Sequence, residues 1–122
     1  MKITITIGEI ELTATLADKK IADDIYNALP FETAFSTWGD EIYFRIPIAT
    51  DLDGVTDVLD VGELAFWPPG SAFCIFFGRT PASVENEPRA ASQVIPFGRI
   101  DKDAELLRSV SGSKIQIDRL ES

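Results

Sequence analysis

Apolar and polar residues alternate along much of this chain, a period of two that predicts strands. In residues 2–7, Ile3, Ile5 and Ile7 share one face; in residues 9–16, Ile10, Leu12, Ala14 and Leu16 share another. Gly8-Glu9 between them suits a tight hairpin. The period becomes helical after Asp18, a good N-cap, with Ile21, Ala22, Ile25, Tyr26 and Leu29 on one stripe. The helix is placed at residues 19–28 and ends at Leu29-Pro30, because the residue before proline avoids the α region. Residues 31–38 predict a third strand, with Phe31, Thr33 and Phe35 on one face, and Gly39-Asp40 a turn. Residues 41–46 predict a fourth strand, limited by Pro47, in which Ile42, Phe44 and Ile46 point inward. Glu41, Tyr43 and Arg45 point the other way.

Residues 62–83 form the centre of the plan. Two apolar runs, Leu64-Ala65-Phe66-Trp67 and residues 72–77, flank the corner Pro68-Pro69-Gly70 and leave through Gly78-Arg79-Thr80-Pro81. Pro69 presets its own φ and Gly70 can take a positive one, so the stretch reads as strand, turn, strand. If Leu64 and Phe66 fill the interior, Trp67 faces out, and the pleat turns one of Phe76 and Phe77 outward too. Residues 82–93 are polar and aperiodic, which predicts a surface excursion long enough to be functional or a lid. A strand follows at 94–101, with Pro96 implying an edge or a bulge. Asp101 or Asp103 caps a second helix carrying Ala104, Leu107 and Val110, which Ser111-Gly112 ends. Residues 114–120 form the last strand, with Ile115 and Ile117 on one face. The total is about eight strands and two helices in one domain, 1–122. So many strands in so short a chain must hide their edges, and a small closed β-barrel with its ends covered by the helices does so most simply.

Charge and composition narrow the function classes. Eleven basic against 20 acidic residues leave a net charge of −9, which argues against nucleic acid and against anionic membrane surfaces. No apolar run approaches the ~20 residues that span a bilayer, and the alternating N-terminus lacks the apolar core of a secretion signal, so a cytoplasmic location is expected. The chain has no histidine, which excludes Ser-His-Asp and Cys-His catalysis and removes the usual zinc ligand. Asp51, Asp53 and Gly54 resemble the start of a calcium loop, but the twelfth position is Gly62 where an acid is required, so residues 50–60 read as a solvated acidic loop. Neither a metal nor a cofactor is expected. The single cysteine, Cys74, lies in the most apolar run and reads as a buried, inert thiol.

Several motifs then carry a resemblance to the small prokaryotic cyclophilin-like proteins. They are Trp67-Pro68-Pro69-Gly70, Ala72, Cys74-Ile75-Phe76-Phe77-Gly78, Thr80-Pro81 and Ser83; Leu29-Pro30-Phe31-Glu32, Trp38-Gly39 and Glu41-Ile42-Tyr43-Phe44; and, more weakly, Gly98-Arg99-Ile100. The resemblance implies a cyclophilin-like barrel. Cyclophilins proper are peptidyl-prolyl isomerases that use an arginine within Phe-His-Arg-x-Ile-Pro, followed by Phe-Met-x-Gln-Gly-Gly. Tyr43-Phe44-Arg45-Ile46-Pro47 resembles the first motif without its histidine and with the proline one residue early, and the second motif is absent. The resemblance thus offers Arg45 as the catalytic arginine, which would stabilise a twisted amide against a barrier of ~18–20 kcal/mol.

The ligand-binding candidates are Trp38, Glu41, Tyr43, Trp67 and Thr80. A carboxylate and a phenol beside large aromatics can orient a small polar ligand, and Thr80 and Ser83 either supply rim hydroxyls or shape a turn. Glu41 lies ~13 Å along the strand from Arg45 and so is not its direct partner. The leading expectation is a barrel that binds a small molecule or a proline-containing peptide in an aromatic-lined cleft. The second is a prolyl isomerase using Arg45, and the third an interaction module pairing through the aromatic patch, as a homodimer.

Overall fold

The computed structural model describes residues 1–110 and 112–120. Ten strands join one sheet network: β1 Lys2–Ile7, β2 Ile10–Leu16, β3 Phe31–Ala34, β4 Ser36–Thr37, β5 Glu41–Arg45, β6 Thr56–Val58, β7 Glu63–Trp67, β8 Ala72–Phe76, β9 Arg89–Ile100 and β10 Lys114–Leu120. Their order is β3-β10-β1-β2-β9-β7-β8-β5-β4, and β6 pairs with β9 off this path. One α-helix, α1 (Lys20–Ala28), follows β2, and two 3₁₀ segments occupy Pro68–Gly70 and Ala104–Ser109.

The sheet is not closed by hydrogen bonds, and it has ten strands where about eight were expected. One additional strand is β6, within a segment expected to be a loop; the other, and the open sheet, come from residues 31–38, which do not form one strand. Residues 31–34 register only with β10, and Ser36 and Thr37 only with β5. No residue of the stretch is paired on both sides, so the ladder stops at Phe35. The two ends of the sheet are nevertheless consecutive in the chain, joined through that one residue.

The inner face carries the main core. Ile3, Ile5, Ile42, Phe44, Leu64, Phe66, Phe73 and Phe97 pack there, with Ile21, Ala22 and Ile25 of α1. Phe73 stacks on Phe44 at 5.0 Å and meets Phe97 edge-on at 5.1 Å. Complete burial of such side chains contributes about 1.5–3 kcal/mol each. Pro96 marks a bulge and not an edge, since Leu64 pairs with Gly98 while Ala65 pairs with Pro96.

Several local expectations change. Asp18 does not cap α1. Ala17 N–H still bonds Phe97 O and Lys19 N–H bonds Ala17 O, so the chain turns tightly and Lys19 takes the N-cap position without a side-chain cap. The second helix is 3₁₀, with Ala104 and Leu107 buried three residues apart. Asp103 precedes it with φ 63° and caps nothing, while Asp101 spends its carboxylate on Lys2 and Thr15. Ser111, expected with Gly112 to end this helix, lies outside the described residues. At the Pro68–Gly70 corner it is Ser71, not Gly70, that takes the positive φ, 48°.

The outer face of β7, β8 and β5 is covered as well. Leu59, Ala65, Ala72, Cys74, Phe76, Ala90 and Val94 form a second core there. Phe76 is therefore buried on the outer side and Phe77 on the inner side. The cover comes from two stretches that lack a clear apolar period. Within the acidic segment, residues 56–58 form β6, Leu59 is buried, and Asp57 pairs with Arg89. Within the expected excursion 82–93, β9 already begins at Arg89 and pairs with β6, so the loop is shorter and ends before it.

Candidate functional site

The pairing register builds a cleft on this outer face. Tyr43 is opposite Cys74, which is opposite Ala65; one step along, Arg45 is opposite Ala72, which is opposite Trp67. Along this row the central strand presents Ala72 and Cys74 and β7 adds Ala65, while Tyr43, Arg45 and Trp67 stand at the flanks. A sheet whose middle strand carries short side chains and whose flanks carry Tyr43 and Trp67 has a depression between them.

That depression is a cavity of about 190 Å³, and Trp38, Glu41, Tyr43 and Trp67 line it together with Cys74. Ala90, Ala91 and Val94 of β9 form the remaining wall. Trp38 arrives from the three-residue connection between β4 and β5, where it exchanges backbone hydrogen bonds with Glu41 across Gly39-Asp40. There Gly39 takes φ 61°, and an added Cβ would lie 2.8 Å from the Thr80 Cα. Asp40 N–H bonds Arg79 O, which fixes this turn against the loop after β8. Trp67 is held from two sides. Its Nε1–H donates to Ser92 Oγ at 2.7 Å, and its ring lies over Gly70, where a Cβ would stand 2.7 Å from the indole.

Glu41 is buried, 7% exposed, because the second core closes over its strand face. Among the described residues no cation pairs with it. Loss of water pushes its carboxyl up to about 7, and the adjacent Cys74 thiol partly offsets that rise. Burial, with the Glu41 charge beside it, pushes the Cys74 thiol well up, which agrees with an inert thiol.

Two candidates fall elsewhere. Thr80 does not line the cavity; it is buried behind the Trp38 turn, where its hydroxyl donates to Arg89 O and accepts from Ala82 N–H. Its role there is to shape the turn. Arg45 is exposed in a wider, adjoining groove of about 470 Å³ that shares Tyr43 and Trp67 with the cavity and adds Phe35 and Phe44. Cys74, Ala90, Ala91 and Val94 carried no site signal in the sequence; only the strand pairing reveals them. No group of acidic or cysteine residues among the described residues is arranged to hold a metal ion, and no described helix is long and apolar enough to cross a membrane.

A mainly β fold of ten antiparallel-paired strands with one α-helix defines the class. The chain belongs to the cyclophilin-like family, whose model matches residues 1–118. It is similar to a hypothetical protein from Archaeoglobus fulgidus known from a solution structure, with 33% identity over 98% of this chain and 95% of that one and a TM-score of 0.79. No curated protein matches the chain.

Proposed function

We propose that this protein binds a small molecule or a peptide segment in the outer cleft. The observation that carries the reading is the meeting of Trp38, Glu41 and Tyr43, from one hairpin, with Trp67 of β7 around one cavity. Ligand sites are typically apolar concavities with a few polar groups set in them, and here one carboxyl is set among aromatic and small apolar side chains. The cavity is smaller than the ~300–1,000 Å³ of sites for drug-sized ligands, so the group it encloses is compact. A larger ligand would extend over Tyr43 and Trp67 toward Arg45. Screening small polar, aromatic and peptide fragments by protein NMR tests the reading. Binding should perturb the Trp38 and Trp67 indole resonances together; a set of fragments that moves neither defeats it.

Prolyl isomerisation is the second reading. It draws support from the exposed Arg45 beside Phe35, Phe44 and Trp67 in the adjoining groove, where a guanidinium next to apolar surface could hold a proline-containing segment.

A further inference from the structure

Resting on the reading of the cleft as a ligand site, we propose that its ligand carries a compact organic cation. A quaternary or alkyl-ammonium group would sit among Trp38, Tyr43 and Trp67, with Glu41 as its counter-charge.

Glu41 is the starting point. It is the one buried charged residue among the described residues, and it has no positive partner there. A buried carboxyl without a counter-ion is costly to ionise. The surroundings do not relieve that cost. Arg89, next to the lining residue Ala90, directs Nε to Glu87 and Nη1 to Asp57. Asp40, the chain neighbour of Glu41, faces Arg108. Arg45 stands exposed in the adjoining groove. The titratable groups that share the cavity with Glu41 are Tyr43 and Cys74, and neither is a cation. The missing positive charge is therefore one that a ligand can supply.

The walls favour the same sign. Trp67 has its single N–H committed to Ser92, so it offers the cavity its ring and not a donor. Aromatic rings attract cations through their quadrupole, and several rings with an acid form the kind of cage that holds quaternary ammonium groups, which need no hydrogen bonds. An anion would meet a carboxyl and no cation. Size agrees, since an apolar cavity of about 150 Å³ takes up benzene and this one measures about 190 Å³. The net charge of −9 adds a long-range attraction of the same sign.

The test compares tetramethylammonium and choline with 3,3-dimethylbutan-1-ol, the neutral carbon isostere of choline. Binding is followed by calorimetry and tryptophan fluorescence at pH 8 in the wild type and in Glu41→Gln, which keeps the volume of the side chain. The ammonium compounds should bind at least about tenfold more tightly than the isostere. Glu41→Gln should reduce that preference, leaving the part due to the rings, without weakening the isostere. At pH 6 ammonium binding should weaken and become coupled to proton release, seen as a dependence of the heat on buffer ionisation. Equal binding of choline and its isostere overturns the cation assignment, as does choline affinity unchanged in Glu41→Gln, or neutral fragments binding where no ammonium compound does. In each of those cases the cleft remains a ligand site. If neither the ammonium compounds nor the neutral fragments perturb the indoles, the ligand-site reading itself fails and takes this one with it.

Discussion

The Trp67 indole donates its Nε1–H to Ser92 Oγ at 2.7 Å, tying the end of β7 to the half of β9 that lies over the outer face. One wall of the cleft is thereby fixed to the other. A neutral hydrogen bond of this kind contributes about 0.5–1.5 kcal/mol. Ser92→Ala should lower stability by about 1 kcal/mol or less in denaturant unfolding. The released indole should also shift its emission to the red, read in a Trp38→Phe background. An unchanged spectrum would mean that packing on Gly70 alone holds the ring.

Glu41 should make stability depend on pH in a specific direction. Its folded-state value is raised from 4.5 to about 7, so between these values the folded protein binds a proton that the unfolded chain has released. Stability from this group is therefore present in full below pH 4.5 and is lost as pH rises through 7. The loss has an upper bound of about 3 kcal/mol. Other groups run the opposite way: Glu87, held down to about 2 by the Val84 and Glu85 N–H groups and by Arg89, loses its contribution as pH falls. The useful quantity is therefore the difference between wild type and Glu41→Gln. The variant should match wild type near pH 4.5 and exceed it above pH 7, in urea titrations run at each pH. A constant difference would show that Glu41 does not titrate in this range.

Arg45 separates the binding and isomerase readings. NMR exchange spectroscopy on short X-Pro peptides measures a process that takes tens to hundreds of seconds without a catalyst. The binding reading expects the uncatalysed rate across varied X residues. Acceleration that disappears in Arg45→Ala would transfer the function to the adjoining groove.

Much of the fold was legible because local pattern and tertiary demand coincide. Ile3, Ile5 and Ile7, or Ile42, Phe44 and Ile46, alternate because one face meets the main core, and the structure buries each of them. The cleft was legible only in part. Trp38, Glu41, Tyr43 and Trp67 stood out by residue type and strand parity, and they do line one cavity. Parity alone could not distinguish a face open to solvent from a face under a second layer, which is why Glu41 read only as outward-pointing and proves buried.

The sequence by itself determined the alternating strands, the amphipathic α1, the corner at Pro68–Gly70 and the absence of histidine chemistry. These follow from spacing and residue type, which a linear chain carries in full. The tertiary structure alone decided the break at Phe35, because pairing changes partner there. It also decided the second core and the floor of the cleft. Ala90, Val94 and Cys74 are small or isolated in the sequence, and they acquire a place only when β6 and β9 cover β7, β8 and β5. Thr80 shows the same limit, since a hydroxyl after a strand suits a rim or a turn equally. Its bonds to Arg89 O and Ala82 N–H, made across the loop in the folded chain, assign it to the turn.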